Sequence, residues 1–262
     1  MDISTIGYLV IELAKKTGEF ILEQRKTFTT DRIEKKGLHD LVSYVDKEAE
    51  LRLVTALKAM LPQAGFIAEE QTAGHNQEEY LWIIDPLDGT TNYIHGVAPF
   101  AISIALQSKN KTILGVIYEL GAKEVFYSWE GIAAYCNNSK IQVSSVKNMD
   151  NALISTGFPI NDFSRLNNHL KVVKKVVENS HGLRRHGSAA TDLAFVAAGR
   201  IDGFFEYGLS IWDLAAGAYL VNKSGGRVSD YNGGGDYFFG REICAGTKKV
   251  HTQLLDILKS DM

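Results

Sequence analysis

Carboxylate side chains stand directly beside apolar segments at three distant places in the sequence. Asp85 and Asp88 lie within LWIIDPLDGTTNY, Glu69 and Glu70 end GFIAEE, and Asp213 opens the apolar segment WDLAAGAYLV. Hard divalent cations prefer oxygen ligands. We therefore expect these acidic groups to share a cation site if the fold brings the three segments together.

The three-residue spacing of Asp85 and Asp88 constrains the local backbone. Residues three apart in an extended strand point to opposite faces, so the two carboxylates converge only if Pro86 and Leu87 turn the chain. Proline cannot extend a central strand, and we expect the strand to end before it. A short helix is predicted from Thr90, where backbone N–H groups and the threonine hydroxyl would suit an anion.

Other interpretations of this stretch remain open. Asp88-Gly89 is also a hairpin signal, although the next residues do not alternate as a returning strand would. An aspartate-nucleophile phosphatase of the haloacid dehalogenase type has Asp-x-Asp-Gly-Thr, one residue fewer between the acids. A different class is a metal-dependent binding or regulatory protein that keeps the fold without catalysis.

Two patterns of elements succeed each other along the chain. Helices are predicted at 3–21 and from Asp46 to just before Pro62, followed by strands at GFIAEE and YLWII. The runs FAISIAL, TILGVIYEL, EVFYSW and GIAAYC indicate an antiparallel meander. Strands and helices then alternate, with helices at 163–179, 188–199, 212–224 and 249–260. We place an approximate boundary between two halves of the chain near residue 145. The first is an α+β half (1–145) with most of the candidate acidic ligands, and the second is an α/β half (146–262) with Asp213.

Composition excludes several classes of function. The formal net charge of −3 over 262 residues argues against nucleic acid as the main partner, because phosphate backbones are held by basic surfaces. No long uncharged apolar run or basic leader is present, so we expect a cytoplasmic protein without a membrane partner. Cys136 and Cys244 are expected to be buried, reduced thiols.

Paired motifs make a family resemblance specific. DPLDGTTNY together with WDLAAGAYLVNKSGG resembles the signatures of the inositol monophosphatase family, which includes fructose-1,6-bisphosphatase-like and NADP phosphatase members. DLVSYVDKEAE, FIAEE, STGFP and GSAATDLAFVAAGRIDGFFE resemble its other segments in the same order. The resemblance implies an αβαβα layered sandwich of the sugar phosphatase type, lithium sensitivity and a homodimer.

The resemblance also implies roles for individual residues. The metal ligands would be Glu69, Asp85, the carbonyl of Leu87, Asp88 and Asp213. The phosphate would meet Gly89 and Thr90; Thr90, hydrogen-bonded to Asp46, would orient the attacking water, with Glu70 close by. Substrate contacts would come from Asp88, Gly187, Ser188, Ala189, Glu206 and Asp213, with Lys35 and Arg184 as possible additions.

Some residues near these motifs receive less specific predictions. Ala68 stands where many members have glycine, which affects only the local backbone. His95 and His186 are interpreted as structural rather than as ligands. Arg184 and Arg185 could recognise an additional phosphate, although a solvated basic face is the simpler interpretation.

The expected reaction is hydrolysis of a small phosphate monoester by water, without a phosphoenzyme. Two or three Mg2+ ions would be required, and no organic cofactor. Mg2+ is favoured over zinc because the expected ligands are all oxygen. Inositol 1-phosphate is the first expected substrate, with the NADP 2′-phosphate and fructose 1,6-bisphosphate as alternatives.

Overall fold

The computed structural model describes residues 2–27, 33–37, 40–70, 78–160 and 162–262, with the side chains of 33–43 excepted. Its helices carry apolar faces of the kind the sequence predicts. They are α1 (Ile3–Lys26), α2 (Tyr44–Met60), α3 (Thr90–His95), α4 (Leu166–Asn179), α5 (Ala189–Ala197), α6 (Ile211–Lys223) and α7 (Lys248–Asp261).

The strands form a two-stranded, a seven-stranded and a five-stranded sheet. The small pair is β1 (Ile33–Gly37) with β2 (Asp40–Ser43). The large sheet has the order β3 (Gly65–Ala68), β4 (Tyr80–Asp88), β5 (Ala101–Ser108), β6 (Lys111–Glu119), β7 (Glu124–Trp129), β8 (Tyr135–Cys136) and β9 (Ser139–Lys140). The five-stranded sheet contains β10 (Leu153–Thr156), β11 (Gly182–Arg184), β12 (Gly203–Tyr207), β13 (Arg227–Ser229) and β14 (Glu242–Gly246), in the order β11-β10-β12-β14-β13.

Helices and sheets alternate in five layers. Helices α1 and α2 pack on the outer face of the large sheet, and α6 packs on its inner face beside α5. Helix α5 also contacts the five-stranded sheet, whose opposite face is covered by α7, with α4 beside α7. Three apolar cores fill the spaces between the layers: one lies under α1 and α2, one surrounds α5 and α6 between the seven-stranded and the five-stranded sheet, and one lies under α4 and α7. The predicted αβαβα sandwich is therefore confirmed.

The β-meander and the alternating second half also match the sequence prediction. Strands β4 to β9 pair antiparallel in chain order. Several details differ: α4 begins at Leu166 rather than near 163, only Tyr135–Cys136 of the predicted strand GIAAYC is a strand, and the short strands β1, β2, β9 and β11 were not predicted. Strand β11 has only three residues, pairs on one side only, and lies in a polar segment, so it has no alternating apolar signal.

Strand β4 continues through Pro86, contrary to the prediction that it ends before this residue. Pairing with β3 stops at Ile84, and pairing with β5 is irregular between Asp85 and Asp88. Pro86 therefore lies where one edge of β4 no longer needs a backbone N–H, which is where a strand tolerates proline. The irregularity supplies the turn that the spacing of the two aspartates requires.

Other predictions concern the chain as a whole. Cys136 and Cys244 are both free and buried, as expected. In the described ranges, every helix is too short or too polar to cross a lipid bilayer. The described strands β3 to β9 precede residue 145 and β10 to β14 follow it, while the boundary between two halves stays a prediction.

Candidate metal and phosphate site

A cleft of about 370 Å³ opens where the ends of β4, β10 and β12 meet the starts of α3, α5 and α6. Three segments far apart in sequence supply its acidic wall. These are the end of β3, the Asp85 to Asp88 stretch and the first turn of α6. The predicted residues that line the cleft are Glu69, Asp85, Leu87, Asp88, Gly89, Thr90, Gly187, Ser188, Ala189, Glu206 and Asp213.

Three carboxylates lie close enough to share a cation. Asp85, Asp88 and Asp213 each offer an oxygen atom, and these atoms all lie within 4.8 Å of one another. Glu69 lines the same cleft, and its backbone N–H donates to the Ile84 carbonyl at 3.3 Å, next to Asp85. The donor set is entirely oxygen, which fits a hard cation such as Mg2+.

Burial raises the pKa of all three aspartates, and the charges of neighbouring carboxylates raise each pKa further. Burial is the largest cause at Asp85, whose pKa lies well above its usual value, followed by the charges of Glu69 and Asp88. Burial raises the pKa of Asp88 to about 6. Burial and then the charge of Asp88 raise the pKa of Asp213 to about 7. A divalent cation would offset this repulsion, so the residues fit the ion that the sequence predicts.

Backbone and side-chain donors fix the orientation of these carboxylates. Asp88 Oδ2 accepts from the Ser188 hydroxyl at 2.5 Å and from the Ala190 N–H at 2.8 Å, which joins β4 to the start of α5. Asp213 Oδ2 accepts from the Ser210 N–H at 2.6 Å, just before α6. Asp85 Oδ1 accepts from the Leu87 N–H at 2.9 Å within the irregular part of β4.

The predicted hydrogen bond between Thr90 and Asp46 is present. The Thr90 hydroxyl lies 3.0 Å from Asp46 Oδ1 and 3.0 Å from the carbonyl oxygen of Leu87. It has one proton and donates to one of these acceptors at a time. Asp46 is 1% exposed and lies in the first turn of α2. The pair thus connects α2 to the bottom of the cleft.

Gly89 takes a conformation that suits glycine. Its φ is +87°, and a Cβ there would lie 3.1 Å from the carbonyl oxygens of Gly187 and Pro99. A side chain would therefore combine an unfavourable left-handed backbone with close contacts to backbone atoms. This residue lets β4 turn directly into α3.

The remaining predicted residues lie at different distances from the cleft. Glu70 is half-buried but is not among the residues that line the cleft; its N–H donates to Glu50 Oε2 at 2.6 Å. Arg184 is exposed and points a guanidinium N–H at the Leu183 carbonyl, whereas Arg185 lines the cleft. The side chain of Lys35 lies outside the described part of the chain.

The two histidines near the motifs do not line the cleft. His186 Nδ1 lies 2.6 Å from Asp192 Oδ1, a carboxylate that is 1% exposed. His95 is exposed at the end of α3. Neither belongs to the described carboxylate cluster, which agrees with their interpretation as structural residues.

Several lining residues had no assigned role in the sequence prediction. They are Thr91, Gly157, Phe158, Pro159, Ile160, Phe163, Tyr207, Gly208, Leu209, Ser210, Trp212 and Arg241. The segment STGFP was recognised as a motif, which was a usable signal for Gly157 to Pro159. Arg241 follows a glycine-rich loop that is remote in sequence from every motif, so only the fold brings it to the cleft.

Comparisons with known proteins cover nearly the whole chain. The Nus factor SuhB of Pseudomonas aeruginosa is 38% identical over 257 residues, covering 96% of this chain and 94% of that protein. The crystal structure of the extragenic suppressor protein SuhB from Bartonella henselae has a TM-score of 0.93 at 36% identity, covering 98% of this chain and all of that one. An inositol monophosphatase from Anabaena has a TM-score of 0.87 at 31% identity, covering 100% and 98% of the two chains.

A family model agrees with these similarities. It describes the inositol monophosphatase family and matches residues 2–261, so the match includes every residue that lines the acidic cleft. The match confirms the resemblance inferred from the paired motifs, and this chain belongs to the inositol monophosphatase family.

Proposed function

We propose that this protein is a Mg2+-dependent phosphatase that hydrolyses a small phosphate monoester. The observation that carries the proposal is the meeting of Asp85, Asp88 and Asp213 within 4.8 Å, beside the Thr90–Asp46 hydrogen bond. Membership of the family supports a phosphatase. The haloacid dehalogenase alternative requires a different fold, and the family match removes the reason for it.

The acidic residues and Thr90 would have different roles in the reaction. Glu69, Asp85, the Leu87 carbonyl, Asp88 and Asp213 would hold the Mg2+ ions, which when bound neutralise phosphate charge and lower the pKa of the attacking water. Gly89 and Thr90 would bind the phosphate. When Thr90 donates to Asp46, its oxygen can accept a hydrogen bond from the attacking water and orient it, with Glu70 as a further contributor.

The overall reaction is a direct displacement at phosphorus. Water adds to the phosphorus atom, the bond to the leaving oxygen breaks, and that oxygen takes up a proton, which gives an alcohol and inorganic phosphate. Positioning and charge compensation supply most of the acceleration in reactions of this kind. No covalent intermediate on Asp85 is expected, and recovery of phosphate bound to Asp85 would contradict this mechanism.

Inositol 1-phosphate is the proposed substrate, because Gly187, Ser188, Ala189 and Glu206 offer polar groups beside the carboxylates. NADP and fructose 1,6-bisphosphate are the runner-up substrates. The test compares phosphate release from all three, first with Mg2+ and then with EDTA. Release that requires Mg2+ supports the proposal and ranks the substrates; release from none of the three contradicts the substrate assignment.

Further properties follow from the same proposal. We infer two or three Mg2+ ions per site, inhibition by lithium, a cytoplasmic location and a homodimer. A lithium titration at saturating substrate would check inhibition, and unchanged turnover would reject it. Light scattering should give a mass near twice that of one chain, and a monomer would overturn the dimer.

A second candidate is a Nus factor role, since the P. aeruginosa relative is named Nus factor SuhB. This role would be a contact with the transcription machinery that does not need hydrolysis. Purified RNA polymerase of the source organism should then retain both the unaltered protein and an Asp88→Asn variant. Failure of the polymerase to retain the unaltered protein would leave the phosphatase as the only proposal.

A further inference from the structure

The carboxyl group of Glu206 fills the volume that a side chain on Gly157 would need. An ideal Cβ on Gly157 would lie 2.1 Å from Cδ and from both carboxyl oxygens of Glu206. These separations are far shorter than any contact between non-bonded atoms. Both residues line the acidic cleft, and Glu206 is 9% exposed. The backbone of Gly157 therefore forms one wall of the pocket that holds this carboxyl group.

Strand register brings the two residues together. Thr156 of β10 pairs with Phe205 of β12 in a parallel ladder, and the Thr156 hydroxyl donates to the Phe205 carbonyl at 2.6 Å. Gly157 and Glu206 are the next residues along each strand, at the carboxyl ends that open into the cleft. Neighbouring strands lie about 4.8 Å apart, so the Glu206 carboxyl group can rest against Gly157 only if no side chain intervenes.

We propose that Gly157 is a positioning residue for leaving-group choice, because its missing side chain leaves room for the Glu206 carboxyl group at a place where that group can hydrogen-bond a hydroxyl of the leaving group. The cleft would then favour phosphates of polyols, such as cyclitols and sugars, over phosphates whose leaving group has no further hydroxyl. This inference rests on the proposed phosphatase function and concerns only the choice of leaving group.

A methyl group at residue 157 should move the carboxyl group and spare the fold. The conflict is with the end of a flexible side chain, and Gly157 is not among the glycines with positive φ, so alanine is compatible with its backbone. The displaced carboxyl group would lose its place beside the leaving group. The metal ligands lie on other elements and keep their own hydrogen bonds.

The test compares inositol 1-phosphate with 4-nitrophenyl phosphate, whose leaving group has no other hydroxyl. In Gly157→Ala, kcat/KM for inositol 1-phosphate relative to 4-nitrophenyl phosphate should fall roughly 3- to 10-fold, which corresponds to the net loss of one hydrogen bond. Gly235→Ala is the matched control, because its added Cβ meets nothing within 4 Å. The double variant Gly157→Ala/Glu206→Asp, with a shorter side chain, should recover part of the lost preference.

Crystal structures of the unaltered protein and Gly157→Ala provide a second readout. The carboxyl group of Glu206 should shift away from residue 157 in the variant. An unchanged carboxyl position, or an unchanged ratio of kcat/KM values in a folded variant, would overturn the proposal. If the unaltered protein hydrolyses neither substrate, the phosphatase proposal fails by itself, and the crystal structures still decide whether Gly157 positions Glu206.

Discussion

A single carboxylate oxygen of Asp88, at the end of β4, is bound by donors at the start of α5. Its Oδ2 accepts from Ser188 and Ala190, and its carboxylate lies within the Asp85 and Asp213 cluster. A carboxylate oriented by protein donors loses little freedom when a cation binds, since hydrogen bonds from the surrounding protein hold metal ligands in place. We therefore regard Asp88 as the most informative single residue to change.

Replacing Asp88 with asparagine should reduce kcat/KM by about 100-fold or more, because several kcal/mol of transition-state charge stabilisation would be lost. Asparagine keeps the size of the side chain and an oxygen acceptor. The measurement is phosphate release from inositol 1-phosphate at saturating Mg2+. Asp256→Asn, on the exposed face of α7, is the control. Near-normal turnover of Asp88→Asn would remove this residue from the metal set.

A change at Thr90 would test a different part of the proposal, the orientation of the attacking water. Thr90→Val preserves shape but removes the hydroxyl that bonds Asp46, and kcat should fall roughly 100-fold, a typical size for lost acid–base positioning. Thr90→Ser keeps the hydroxyl and should retain most activity. Steady-state kinetics with both variants would check this, and a valine variant with kcat within about twofold of normal would contradict it.

At the scale of elements, the position of α6 depends on close contacts with its neighbours. An added Cβ on Gly217 of α6 would lie 2.5 Å from Leu193 Cβ of α5, and one on Gly115 of β6 would lie 2.9 Å from the Ala216 carbonyl oxygen. Small residues at these points let the helix approach both α5 and the large sheet. This approach sets where Asp213, one turn earlier in α6, enters the cleft.

Gly217→Ala should lower the free energy of unfolding by about 1 kcal/mol. Alanine gains about 0.5 to 1 kcal/mol as a helix former, but overpacking against the buried Leu193 costs about 1 to 3 kcal/mol, so the cost of overpacking exceeds the helical gain. Urea unfolding measures the difference, with Gly235→Ala as the control at an uncrowded residue. A variant as stable as the unaltered protein would show that α5 and α6 separate without cost.

Some helices and strands could be predicted from the sequence, and others could not. Helices α1 and α2 and the β-meander were predictable because their apolar residues repeat at the helical or strand period. Strand β4 was predicted to end before Pro86, because the rule against proline assumes partners on both sides. The pairing of β3 with β4 stops at Ile84. The length of β3 decides where this pairing stops, and the residues around Pro86 carry no information about it.

At the scale of the whole molecule, protonation and cation binding are linked. An aspartate has a pKa near 3.9 when unfolded, whereas burial and neighbouring charge raise the pKa of Asp88 to about 6 and that of Asp213 to about 7. Between about pH 4 and pH 7 the folded protein therefore binds more protons at these groups than the unfolded chain. Their contribution to the stability of the metal-free protein falls as pH rises through this range.

Mg2+ should reverse this trend, because its ligands must be deprotonated. The increase in melting temperature caused by Mg2+ over EDTA should grow from pH 5 to about pH 7 and change little between there and pH 8. Thermal unfolding at each pH, with and without Mg2+, measures this difference. Taking the difference removes contributions from the buried His169 and His251, whose pKa values burial lowers to about 4. A Mg2+ effect that shrinks with rising pH would contradict the assignment of these ligands.

The sequence by itself determined the identity of the acidic groups, most of the helical and strand segments and the family. These depend on local spacing and on motifs that can be read along the chain. Only the tertiary structure decided that Gly157 lies against Glu206 and that Arg185 and Arg241, not Arg184, line the cleft. These neighbours depend on strand register and helix packing between segments far apart in sequence, and no local pattern encodes such distances.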